Sequence, residues 1–306
     1  MRHFISLSDV TPSEFGDIVA LGLELSRCGN VERRSLDRHL IGIQFSVPST
    51  RTRTAFTTAS VKLGAVPLPY GPNDLQISTG ETISDTGRIL AGMLDALVVR
   101  TNGPQSEMRA LAQQSKMAVI NAMSDLEHPT QAVSDFVTLR QRFKSLNGIH
   151  LLYVGEGNNT AASLAMATAL TPGMKSTFLT PPGYGLQADI LQQCARTSAS
   201  TDAVIREYHS VECMPNDADA VYTTRWQTMG VPRKKPNWRD DFEPFRVDAT
   251  LMRNASRSGA TFMHDLPAVR GEEVTAAVLD GSDSIAFKQA HNKVFGAMAV
   301  LLSCLQ

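Results

Sequence analysis

The 306-residue sequence predicts an α/β protein made of two doubly wound parallel-sheet domains, with the active site in the cleft between them. Three observations carry that reading. Apolar runs of four to six residues alternate with helical stretches along the chain, the pattern of parallel strands covered on both faces by helices. The alternation restarts near residue 149 after one long helix, so the chain divides into two units of ordinary domain size. Six polar clusters stand at the C-terminal ends of strands, where open parallel sheets bind ligands.

In chain order, Thr11-Pro12-Ser13-Glu14 opens the first helix as a capping box within a cap segment running to residue 27. Residues 40–45 read as a buried strand, ended by Pro48, and 54–63 as a helix that Ser49 can cap. A short strand broken by prolines covers 65–70, followed by a Gly-Pro-Asn-Asp turn at 71–74 and a polar loop at 75–80. Helices are expected over 81–94, 106–114 and 130–143, with strands at 96–99 and 117–120 between them. The second half repeats the scheme: a strand at 149–154, a small-residue helix at 160–170, a strand at 176–179, then further alternation through 187–195, 203–208, 218–222, 248–255 and 260–263. We expect domains at 1–138 and 139–286, with the final helix, 287–306, packing back on the first.

Composition narrows the classes. Hydrophobic residues at 42% and charged residues at 19% indicate a globular chain rather than a disordered one. A net charge of -1 gives no global attraction to nucleic acid or to an anionic membrane, so any anion site must be local. Apolar runs are too short to span a bilayer, and the N-terminus lacks a signal-peptide h-region. The scattered Cys28, Cys194, Cys213 and Cys304 read as reduced packing residues of a cytoplasmic protein.

The polar clusters carry the chemistry. Ser49-Thr50-Arg51-Thr52-Arg53 joins a helix N-terminus to hydroxyls and guanidinium forks, a set suited to a phosphate dianion. Alone, it fits equally well a capped surface helix with two solvated arginines. Arg100 ends another strand. His128-Pro129-Thr130-Gln131 opens the long helix, with His128 and Gln131 one turn apart and facing the same way, toward a carbonyl oxygen. Asn158-Asn159, Thr224-Arg225-Trp226-Gln227 and His264-Asp265-Leu266-Pro267 end strands of the second half. Gly155-Glu156-Gly157 begins like a dinucleotide fingerprint, but Thr160 occupies the third glycine position, and no Walker loop exists. His128 and His264 have neither HExxH nor Cys/His spacing, so no metal is expected.

These motifs together resemble the aspartate/ornithine carbamoyltransferase family: Ser49 to Arg53, Gly80-Glu81-Thr82-Ile83-Ser84-Asp85-Thr86, Arg100, His128 to Gln131, and His264 to Pro267, in matching order across essentially the whole chain. The resemblance implies that Ser49, Thr50, Arg51, Thr52, Arg100, His128 and Gln131, with Leu266 and Lys293, bind carbamoyl phosphate, while Arg53 braces the loop. It implies a catalytic set of Arg51, Thr52, Arg100, His128 and Asp265, with no cofactor. It also implies a homotrimer in which the 75–80 loop reaches a neighbour's site.

Acceptor residues are implied at Asn159, Thr224, Arg225, Gln227, Thr228, Met229 and Asp265. Asn158-Asn159 and Met229-Gly230 resemble the ornithine branch. That branch, however, has Asp at the position of Thr224, Ser at Thr228, Cys at Asp265 and Arg at Lys293, while Thr224 to Gln227 resembles the aspartate branch. The expected activity is carbamoyl transfer to the amine of an ornithine-like amino acid. The alternatives are an aspartate-type or other specialised acceptor, and a non-catalytic anion-binding relative. Residue by residue, Asp265 either meets the acceptor or bonds only nearby backbone N–H groups. Arg225 either receives a carboxylate or pairs with Asp240 or Asp241, and Trp226 reads as core.

Overall fold

The structure is a computed structural model that describes residues 3–28, 35–114, 116–227, 235–256 and 259–306. The chain forms two compact units, one running to Gln141 and including His291–Gln306, the other Arg142–Ala290.

The first unit opens on helix α1 (Pro12–Arg27), whose Thr11 and Glu14 form the expected capping box. Strand β1 (Leu40–Phe45), helix α2 (Thr50–Lys62), strand β2 (Val66–Tyr70), helix α3 (Ile83–Leu90), strand β3 (Ala96–Arg100), helix α4 (Gln105–Leu111), strand β4 (Ala118–Met123) and helix α5 (Pro129–Arg142) follow. The strands form one parallel sheet in the order β2-β1-β3-β4. Pro67 and Pro69 are accommodated because β2 is an edge strand pairing only with β1. β4 runs three residues beyond the expected strand. Asn121 sits at 0% exposure there, its amide donating to Ile5 O at 2.8 Å, so a polar residue continues the strand once its hydrogen bonds are made. α3 is shorter than expected, because the chain turns after Leu90 to bring buried Leu94 into the core ahead of β3.

The second unit holds β5 (His150–Val154), α6 (Asn159–Ala169), β6 (Lys175–Leu179), α7 (Ala188–Ser198), β7 (Val204–Tyr208), β8 (Ala220–Thr223), α8 (Trp238–Phe242), α9 (Ala249–Ala255), β9 (Thr261–His264) and α10 (Ala276–Leu279). Its parallel sheet has the order β7-β6-β5-β8-β9. Leu152, Val154, Val221 and Phe262 pack with Phe245, Val247 and Leu251 in one apolar cluster. The last helix, α11 (Ala286–Leu305), contributes its residues from His291 onward to the first unit. Close packing there depends on glycine. A Cβ on Gly22 would lie 2.6 Å from Val137 Cγ2, and one on Gly296 would lie 2.5 Å from Ser134 Oγ.

Each sheet reverses its winding direction once, between β1 and β3 in the first unit and between β5 and β8 in the second. Ligands of open α/β sheets bind at the carboxyl ends of strands flanking such a reversal. In this chain those ends carry Ser49 to Thr52 and Arg100 in one unit, and Asn159 and Thr224 in the other.

Candidate active site

In the first unit, Ser49 is the extended N-cap of α2 and makes no side-chain cap bond, while Thr50, Arg51 and Thr52 form the first turn, with Thr52 buried. Arg53 turns back, its guanidinium 5.3 Å from the Phe45 ring centroid, which agrees with a bracing role. Arg100 ends β3 at a register irregularity and is buried. Its Nη1 donates toward His128 Nε2 at 3.3 Å. Because Nε2 accepts, the proton of a neutral ring sits on Nδ1. Burial, then the Lys293 and Arg100 cations, holds the His128 pKa well below its ordinary 6.5, so the imidazole is neutral.

His128 immediately precedes α5, whose first residue is Pro129, favoured at a helix start because its missing N–H would have no intrahelical acceptor. One turn on, Gln131 is held from both sides. Its Oε1 accepts from Lys293 Nζ, and its Nε2 donates to Asp135 Oδ1 at 2.7 Å. Thr52, His128, Gln131 and Lys293 line one small cavity. Four of the expected donor-site residues therefore converge, and Arg100 joins them through His128. Asp135 was not among the expected residues, although its i+4 spacing from Gln131 on a helix was a usable signal.

In the second unit, Asn158 caps α6, its side chain accepting from the N–H groups of Thr160 and Ala161, which leaves Asn159 as the first helical residue. Asp265 follows β9. Its Oδ2 accepts from Thr160 Oγ1 and from Thr224 Oγ1, each at 3.1 Å. It therefore bonds side chains from two other elements, beyond any backbone contact of its own loop. The Thr160 contact crosses 105 positions of sequence, and no local pattern announced it.

Behind Asp265, His264 is fully buried. Its Nε2 lies 3.2 Å from Glu273 Oε1, and its Nδ1 accepts the Leu266 N–H at 2.8 Å. Burial alone would lower its pKa, but the Asp265 and Glu273 carboxylates outweigh that and hold it above 6.5. Tyr153 is pushed well above its ordinary value by burial and by the Asp265 and Glu156 carboxylates.

Leu266 has a left-handed backbone, φ 55°, and its side chain packs against the apolar cluster of the second unit. Arg225 and Gln227 are half-buried, and Arg225 does not pair with either acid considered for it. Asp241 binds Lys235 and Tyr184, and Asp240 binds Asn237. Trp226 is core, 1% exposed among Trp238 and Phe242. Thr228 and Met229 lie outside the described residues.

The two units match the two domain models of one known family. The family model for the aspartate/ornithine carbamoyltransferase carbamoyl-P binding domain matches residues 2–141, and that for the Asp/Orn binding domain matches residues 147–304. The ornithine carbamoyltransferase of Oceanobacillus iheyensis is 34% identical over 99% of this chain and 94% of its own length. That of Nostoc punctiforme is 36% identical over 99% of this chain and 97% of its own. Among solved structures, the ornithine carbamoyltransferase of Pyrococcus furiosus superposes with a TM-score of 0.92 at 33% identity, covering 99% of this chain and 97% of that one. These matches lend no support to the aspartate-type or non-catalytic alternatives. By sequence, by fold and by the residues at its strand ends, this chain is a carbamoyltransferase and belongs to the aspartate/ornithine carbamoyltransferase family, on its ornithine carbamoyltransferase side.

Proposed function

We propose that the protein moves the carbamoyl group of carbamoyl phosphate to the amine of an ornithine-like amino acid, giving a ureido product and phosphate. The observation that carries this reading is the donor half: a helix start bearing Thr50, Arg51 and Thr52, with Thr52 sharing a cavity with His128, Gln131 and Lys293. The phosphate binds the free N–H groups, hydroxyls and Arg51 at that start. An uncharged amine attacks the carbonyl carbon. Negative charge grows on the carbonyl oxygen, where Arg51, Thr52, Arg100 and neutral His128 act as donors, each well-placed donor contributing about 3 kcal/mol. The C–O bond to phosphate then breaks, and phosphate leaves with its charge already matched, itself able to take the amine proton.

Gln131, locked between Lys293 and Asp135, meets the carbamoyl amino group from a fixed direction. Leu266 has its side chain engaged in the core of the second unit. The acceptor is bound by Asn159, Thr224, Arg225, Gln227, Thr228, Met229 and Asp265. Assembly as a homotrimer fits the exposed turn Gln76–Thr79, none of whose residues is buried. Cytoplasmic placement fits the four free cysteines and the lack, among the described residues, of any helix long and apolar enough to cross a membrane.

The test supplies carbamoyl phosphate with a panel of amines, ornithine and aspartate included, and follows phosphate release and ureido product. Turnover with ornithine-like amines is expected. No turnover with any amine sinks the reading, and a preference for aspartate sinks the choice of acceptor.

A further inference from the structure

Asp265 is a carboxylate with a built environment. Thr160 comes from the first turn of α6, Thr224 from the end of β8, and Asp265 from the end of β9. Both threonines are buried, at 3% and 5% exposure, and their hydroxyls converge on Oδ2 at 3.1 Å each. β-Branched side chains have restricted χ1, so the two donors are stiff. Hydroxyl donors on one oxygen favour the charged carboxylate over the acid. A carboxylate so held has a fixed orientation, with its other oxygen, Oδ1, 3.4 Å from His264 Nδ1. Its side chain remains 16% exposed, at a strand end where a ligand of this sheet binds.

Resting on the carbamoyl-transfer reading above, we infer that Thr160 and Thr224 are positioning residues that hold Asp265 as an anion, and that Asp265 reads the α-ammonium of the acceptor. The neutral Thr224 fits the same arrangement: it donates to the neighbouring carboxylate, so the acceptor pocket places its negative charge at β9 rather than at β8. Asp265 thus acts in recognition and leaves the acceptor's proton to phosphate.

The experiment crosses enzyme variants with an acceptor lacking the recognised group. Wild type, Asp265→Asn, Thr160→Val and Thr224→Val are assayed with ornithine and with 5-aminopentanoate, which keeps the attacking amine and the carboxylate but has no α-ammonium. Where turnover of 5-aminopentanoate is too slow to follow, its inhibition constant against ornithine replaces it. Asp265→Asn is expected to shrink the ornithine preference by roughly 10- to 100-fold, the range of a hydrogen bond to a charged group. Its loss with 5-aminopentanoate, read as rate or as inhibition constant, is smaller than its loss with ornithine. Each threonine variant shrinks the same preference by roughly 3- to 10-fold, in KM more than in kcat. Equal loss on both amines in Asp265→Asn, or no change on either, overturns the assignment of Asp265 while leaving carbamoyl transfer intact. A merely structural role lowers both amines together and fails the same comparison. Absence of turnover by wild type with every amine instead sinks the transfer reading beneath it.

Discussion

His128 is neutral because a buried imidazole between two cations cannot keep a second proton. That places a pH dependence on stability with a definite sign. A folded-state pKa below the unfolded value means that the unfolded chain holds the proton more tightly. The contribution is therefore complete above about 6.5 and is lost as pH falls through the window below it. His264 has the opposite sign, since its raised pKa gives stability at low pH that fades as pH rises through the folded value. Replacing His128 with Gln, whose amide oxygen can still accept from Arg100, is expected to flatten the loss of unfolding free energy between pH 7.5 and 5.5. Urea denaturation at both pH values measures it, and an unchanged slope would mean that the imidazole is not held neutral in the fold. The same neutrality bears on catalysis. In the proposed mechanism His128 acts on the developing oxyanion as a neutral N–H donor, with no second proton to lose as pH rises.

At the scale of elements, the proposed donor site depends on how α5 is clamped. α5 carries Gln131, Ser134, Asp135 and Val137, and both α1 and α11 approach it through glycines. Gly296→Ala puts a methyl 2.5 Å from Ser134 Oγ, closer than packed atoms allow, so α11 must shift relative to α5. Helix propensity alone favours alanine by about 1 kcal/mol. Overpacking costs about 1–3 kcal/mol and is expected to win. Because Lys293 lies one turn before Gly296 and bonds Gln131, the shift also loosens that bond. Lower thermal stability and a raised KM for carbamoyl phosphate are expected together, with partial recovery of both in the Ser134→Ala background. A stability gain in Gly296→Ala would show that α11 does not seat tightly against α5.

For the molecule as a whole, the residues proposed to bind the donor follow β1 and β3, which flank the winding reversal of the first sheet, and those proposed to bind the acceptor follow β5 and β8, which flank that of the second, and the edge strand β9. The proposed trimer adds a third contribution, the loop before Gly80. Light scattering is expected to give three times the 33.2 kDa chain mass. If the loop serves a neighbour, two inactive variants should complement each other. Mixing Arg100→Ala subunits with subunits lacking residues 76–79 is expected to restore a fraction of wild-type turnover. A trimer whose mixed forms stay inactive would confine the loop to its own subunit.

Much of this protein was legible in the linear chain. Strand and helix alternation, the capping box at Thr11, the helix start at Ser49 and the His128/Gln131 turn all follow from local rules: period, caps and the spacing of side chains on a helix. Family membership was legible for the same reason, since its motifs are short runs of neighbouring residues. What the chain alone left open was every relation across distance. The edge position of β2, the extension of β4 through Asn121, the clamp of Lys293 and Asp135 on Gln131, and the hydroxyls of Thr160 and Thr224 on Asp265 belong to this second kind. Local periodicity determines which element a residue joins. Only the packed fold brings residues 105 positions apart within 3.1 Å, and with them the environment that decides what the Asp265 carboxylate does.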